Sequence, residues 1–152
     1  MFMNDERFML SAIEEAKKAL QENEVPVGAV VVFEDKIIGR GHNRREKTDD
    51  ITSHAEIEAI KEAAKFLGSW NLNGCILYVT LEPCLMCGGA ILQSGLFRVV
   101  YGADDERMGA IVSHYNIFDL PSKETRPLIT KGVLAEACSA LLKTFFESLR
   151  KQ

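Results

Sequence analysis

Residues 75–95, CILYVTLEPCLMCGGAILQSG, pass from an apolar run rich in β-formers straight into a stretch with helical character. CILYVTL (75–81) has the length and composition of a buried strand, and the segment around PCLMC (83–87) opens a helix that stops by Gly95. A strand feeding a helix is the repeating unit of layered α/β folds, and the flanking sequence supplies more of them.

Towards the C-terminus, FRVVYG (97–102) gives a further strand and RPLIT (126–130) a weaker one. A last helix from Val133 sets Leu134, Cys138, Leu141, Phe145 and Leu149 on one face. Towards the N-terminus, a helix from Asn4 repeats Met9, Ala12, Ile13, Ala16 and Leu20, with acidic residues early and Lys17-Lys18 late, as the helix dipole favours. VPVGAVVVF (25–33) and KIIGRG (36–41) meet at the polar corner EDK and read as an antiparallel hairpin. A second helix begins at Ser53, buries Ala55, Ile57, Ala59, Ile60 and Ala63, and stops near Gly68. The expectation is an α/β fold in three layers, α/β/α: a mixed five-stranded sheet with helices on both faces, its later strands parallel through right-handed crossovers.

The chain has 152 residues, 47% of them hydrophobic, which suits one domain over residues 1–152 that folds without disulfide staples. A net charge of −4 argues against a broad phosphate-binding face and leaves room for a local basic site. Four cysteines are too few for a secreted scaffold, and Asp5, Glu6 and Arg7 stand where a signal peptide needs an apolar core, so a reducing cytoplasm is expected. The longest uncharged run, 83–97, is too short to cross a bilayer.

Two short motifs carry chemistry. Cys84 and Cys87, three apart in the first turn of a helix, share a face where free amides and the helix dipole favour thiolate. Alone, such a pair reads equally as a redox couple or as two buried cysteines. SHAEIEAI (53–60) adds His54 at another helix start, and in a layered fold both starts emerge beside strand ends. One His and two Cys make the three-ligand set of a catalytic zinc that keeps an open fourth position. Cys75, at a strand's beginning, and Cys138, in an apolar stripe, read as core. Glu56, two residues after His54, reads either as the capping-box partner of Ser53 or as the proton carrier beside the metal's water.

These motifs, HAE (54–56) and PCLMC (83–87), resemble the zinc-dependent cytidine/adenosine deaminase superfamily with its H-x-E…P-C-x-x-C pattern. EVPVGAVVV, GRGHNRRE, LGSWNLNGCILYVTLEPCLMCGGAI, RVVYGADD and LLKTFFESLRK narrow the resemblance to the bacterial tRNA-specific adenosine deaminases over most of residues 8–151. The resemblance implies one zinc per subunit on His54, Cys84 and Cys87, Glu56 as acid and base, and hydrolytic deamination of adenosine to inosine at the wobble position of a tRNA anticodon. It also implies a homodimer, no membrane, and a base pocket formed by Asn43, Val27, Gly28 and Ala55 with Pro26 and Pro83 as walls. Arg150 and Lys151, beside Phe145 and Phe146, and Arg44 and Arg45 are the cations it offers to an anticodon stem-loop.

Each contact has a plainer reading from the residues alone. Asn43 suits a turn, Gly28 a sheet bulge, the two Phe core packing, Arg150 and Lys151 a solvated helix end, and Arg44 and Arg45 a loop border. His42 and His114 are assigned no metal. Residues 104–127 depart from the family's pattern, with Met108-Gly109, Val112-Ser113-His114 and Thr125-Arg126 where members carry Gly-Gly, Ser-Leu and Asn-His. The tRNA enzyme is the leading reading; that departure and the acidic charge support a runner-up, a deaminase of free guanine, adenosine or cytosine, and a zinc-stabilised interaction module without catalysis is the third.

Overall fold

The computed structural model describes residues 2–151. In chain order the elements are α1 (Phe2–Gln21), β1 (Gly28–Phe33), β2 (Lys36–His42), α2 (Arg45–Thr48), α3 (Ala55–Leu67), β3 (Ile76–Leu81), α4 (Leu85–Ser94), β4 (Arg98–Ala103), β5 (Leu128–Lys131) and α5 (Ala135–Arg150), with one 3₁₀ turn at Ile117–Asp119. The strands form one sheet in the order β2-β1-β3-β4-β5; β1 is antiparallel to both neighbours, and β3, β4 and β5 are parallel.

Alternation along the strands sorts side chains to two faces. Val30, Val32, Tyr78 and Val100 pack with Phe8, Met9, Ala12 and Ile13 of α1 and Cys138 of α5. Ala29, Val31, Leu77, Val79, Val99 and Tyr101 pack with Ala55, Ala59 and Ala63 of α3 and Ile91 of α4. The sheet is thus sandwiched between helix pairs, in the expected three layers.

The hairpin turns at Glu34 and Asp35, whose φ values of 50° and 63° are those of a primed two-residue turn. The bulge lies at Val31/Val32, so Gly28, paired with His42, does not serve as one. Gly28 instead admits α1: a Cβ there would sit 2.0 Å from the Ala12 carbonyl oxygen. Gly39 and Gly41 do the same for α3, since their Cβ atoms would stand 2.2 Å from the Ala59 carbonyl oxygen and 2.3 Å from that of Ala55. The face α3 presents to β2 is therefore the small one, Ala55, Ala59 and Ala63, four residues apart.

Three expectations change. The second helix begins at Ala55 with His54 as its N-cap, not at Ser53, and its buried face includes Glu56 while Ile57 and Ile60 are only partly covered. The rotation of about 100° per residue places Glu56 on the inward side of the helix that starts at Ala55. The single-turn α2 lacks the length for a periodic signal. On α5, Cys138 and Phe145 are buried but Leu149 is 48% exposed, because a 16-residue helix of about 24 Å outruns the strands beneath it.

Asp5 ties the layers together. Its carboxylate accepts two hydrogen bonds from Arg98, at 2.9 and 2.7 Å, and one from the Tyr78 hydroxyl at 2.8 Å, joining α1 to β3 and β4. Burial works to raise the Asp5 pKa, but the bonds from Arg98 and Tyr78 outweigh it and hold the carboxyl below its ordinary value.

A folded-state pKa below the unfolded one gives stability that is present above about pH 4 and is lost as pH falls through the lower, folded value. Denaturant titrations across that range should show Asp5→Asn destabilised at pH 7, with the gap to the parent chain narrowing in acid. Gly41→Ala, which forces a Cβ against the backbone of α3, should cost about 1–3 kcal/mol in the same assay.

Candidate active site

Two helix starts define the site. β3 ends at Leu81, and Glu82-Pro83 lead to Cys84, the extended N-cap of α4 (φ −80°, ψ 179°). His54 is the extended N-cap of α3 (φ −80°, ψ 155°). The His54 side chain makes no capping bond to α3, which leaves its ring free to turn towards α4. The two starts meet: Cys84 Sγ and Cys87 Sγ lie 3.7 and 3.5 Å from His54 Nδ1. All three donor atoms fall within 4.8 Å of one another, and among the described residues they form the one such group.

The geometry suits a metal. Tetrahedral zinc, with Zn–N near 2.05 Å and Zn–S near 2.3 Å, requires N···S separations of about 3.6 Å, which these two distances straddle. The donors are prepared as well. A hydrogen bond from Cys87 is the main cause holding the Cys84 thiol down to about 4, with His54 and the Cys87 amide adding to it. The same bond pushes Cys87 up, and the Cys84 partner raises His54. A divalent cation held there would displace the remaining thiol proton. Cys75 and Cys138 lie buried in the two cores, away from this cluster.

Glu56 stands in the first turn of α3, 4% exposed. The capping box does not form: the Ser53 hydroxyl donates to Glu58 Oε1 at 3.0 Å and accepts from Thr48 Oγ1 at 3.0 Å. Glu56 therefore faces the cavity, and burial pushes its carboxyl above the usual carboxylate range.

The cavity encloses about 580 Å³, within the range of small-molecule sites. His54, Glu56 and Cys84 line it together with Val25, Val27, Asn43 and Ala55; residues 104–108 make one wall, and Leu142 and Phe146 of α5 another. Asn43 serves its turn first, giving Nδ2–H to the Val25 carbonyl at 3.2 Å and accepting the Arg45 amide at 3.2 Å, and keeps one N–H and one lone pair spare. Arg45 lines the cavity and Arg44 does not. Pro26, Gly28 and Pro83 are buried but outside the lining, and Pro83 instead accepts the Ala110 amide at 2.8 Å. Arg150 and Lys151 are exposed at the end of α5, also outside it. Phe145 is core, whereas Phe146, 44% exposed, opens onto the cavity, contrary to the core expectation. His42 pairs with Glu22 at 3.0 Å, and His114 packs edge-on against Tyr115.

Two carboxylates escaped the sequence reading. Glu24, 1% exposed, accepts the amides of Glu46 and Lys47 at 3.1 and 2.7 Å, holding the loop that carries Asn43 and Arg45. Glu82, 2% exposed, accepts the amides of Asp105, Ile111, Val112 and Ser113 at 2.8–3.1 Å and the Ser113 hydroxyl. Burial works to raise the Glu82 pKa, and the bonds from Ser113, Val112 and Asp105 outweigh it. The available signal was an acidic residue within an apolar strand-to-helix junction, a place where charge survives only if several donors converge on it.

Comparison with known proteins agrees with this geometry. A tRNA-specific adenosine deaminase of Aquifex aeolicus is 46% identical over 148 residues, spanning 97% of this chain and 97% of its own. A solved structure from work on A-to-I editing by tRNA:A34 deaminases at the wobble position of transfer RNA matches with a TM-score of 0.87 and 40% identity, over 90% of this chain and 99% of that one. A guanine deaminase from Nitrosomonas europaea shares the fold more distantly, at TM-score 0.76 and 26% identity over 92% of this chain and 83% of its own. The family model of the MafB19-like deaminases matches residues 3–150, and the chain belongs to that deaminase family.

Proposed function

We propose that this chain is a zinc-dependent hydrolase that converts adenosine to inosine at the wobble position of a tRNA anticodon. The observation that carries the reading is the convergence of His54 Nδ1 and two cysteine sulfurs at tetrahedral spacing beside a buried glutamate. The adenosine and tRNA assignment is supported by tRNA-specific adenosine deaminases above 40% identity, against 26% and 33% for two guanine deaminases.

His54, Cys84 and Cys87 would hold the zinc. When bound, zinc supplies a Lewis acid that brings the pKa of a water to about 7. Glu56 would accept a water's proton and deliver it to the adenine ring as the water's oxygen adds to C6. Glu56 would then take the remaining proton from the hydroxyl added at C6 and pass it to the departing amine, so that ammonia leaves as the C6–N bond breaks, C6=O forms and inosine remains. Burial favours the protonated form of this carboxyl, which suits it to take up a proton and hold it for transfer.

Val27 and Ala55 offer apolar walls to a base, and the spare donor and acceptor of Asn43 suit a base edge or a ribose hydroxyl. Arg45 and Arg107 at the cavity, with Arg150 and Lys151 further along α5, supply local cations for phosphates on a chain of net charge −4. Phe146, exposed between cavity and helix end, suits stacking by a flipped neighbour base. We also propose that the whole chain works as one domain in a cytoplasmic homodimer, with exposed Phe66, Trp70 and Leu120 as apolar area for a second copy. No helix among the described residues is long and apolar enough to cross a membrane.

Three outcomes are expected. Purified protein should carry one zinc per chain, and chelation should abolish deamination until zinc is returned. Glu56→Gln should keep zinc and fold yet lose about 10²–10⁴-fold in rate, an effect that a helix cap could not produce. Offered an anticodon stem-loop and free guanine, adenosine and cytosine, the enzyme should form inosine in the RNA; product from a free base or nucleoside alone would overturn the tRNA assignment.

A further inference from the structure

Residues 104–108, one wall of the cavity, belong to a loop without regular secondary structure that is bound at residue 105 and again at 111–113 to one side chain. Glu82 Oε1 accepts the Asp105 amide at 3.1 Å, and Oε2 accepts the amides of Ile111, Val112 and Ser113 at 3.1, 2.8 and 3.0 Å; the Ser113 hydroxyl closes the set. The adjoining Pro83 carbonyl takes the Ala110 amide at 2.8 Å. Five donors saturate a carboxylate, which alone among side chains presents two equivalent acceptor oxygens. The loop wraps this group so closely that a Cβ on Gly109 would lie 2.5 Å from Glu82 Oε1. Cys84 stands two residues beyond Glu82, so the wall and a zinc donor are referred to the same short piece of backbone.

We propose that Glu82 is a positioning residue for substrate: by gripping both ends of the 105–113 loop, it holds the cavity wall in register with Cys84. The inference rests on the deaminase reading above. Glu82 also lines the cavity, but it does not act there as an acid or base, because its acceptor capacity is spent on the loop. The effect of losing it falls on binding, which ground state and transition state share, rather than on the chemical step.

Glu82→Gln preserves size but replaces one acceptor oxygen with a donor aimed at amides. On an anticodon stem-loop it should raise KM roughly tenfold while kcat stays within about threefold, with zinc content unchanged. Hydrogen exchange at amides 105–113 should accelerate while that of α3 and α4 does not. Ser113→Ala, a half-exposed site that tests the idea even if Glu82→Gln folds poorly, should raise KM by about threefold in the parent chain and add nothing in the Glu82→Gln background. Unchanged exchange over 105–113, a tenfold fall in kcat at unchanged KM, or equal effects of Ser113→Ala in both backgrounds would overturn the proposal. Should the parent chain deaminate no RNA, the functional reading fails, and the exchange data still decide whether Glu82 holds the wall.

Discussion

The structure depends on the direct seating of α3 on β2, backbone against backbone, through Gly39, Gly41 and the alanine face of the helix. That contact fixes where the N-terminus of α3 arrives, and with it His54 and Glu56. The second half of the site is delivered independently by the β3-to-α4 junction, whose N-cap and third helical residue are Cys84 and Cys87. Neither half has chemistry without the other. A shift of α3 by the depth of one methyl group would separate nitrogen from sulfur beyond any common coordination distance.

Buried carboxylates divide into two kinds. Asp5, Glu24 and Glu82 are each enclosed by donors, and for Asp5 and Glu82 those bonds more than offset the desolvation that opposes charge. They are structural anions joining helix to sheet or loop to core. Glu56 is as deeply buried, but no loop closes around it; its own amide, His54 and Cys87 only partly counter the burial. An acid kept short of partners in this way is ready to exchange a proton, and the contrast with its three saturated counterparts marks it more clearly than burial alone.

Most of the fold was legible because periodicity and junction residues act locally: every strand, the parallel order of β3, β4 and β5, and helix ends at Gly68 and Gly95 follow from them. The three-ligand cluster was legible too, since ligand type and helix-start position are both written in the chain. What remained hidden depends on partners distant in sequence. Glu82 takes its donors from 23 to 31 residues away, so nothing near it announces the grip on 105–113. The Ser53–Glu56 spacing matched a capping box, but Glu58 and Thr48 claimed the hydroxyl once the helix began two residues later. Phe145 and Phe146 are indistinguishable in type, and only the path of α5 over the sheet decides which faces solvent.

The seating of α3 on bare glycine has a mechanical consequence. Side-chain layers yield under load by changing rotamer, whereas main-chain atoms in contact meet a steep repulsive wall and have no alternative packing to adopt. Thermal vibration at this seam should therefore be of small amplitude, making the edge of the sheet a stiff foundation, while compliance needed to admit and release a bulky polymer is confined to the cavity's outer rim.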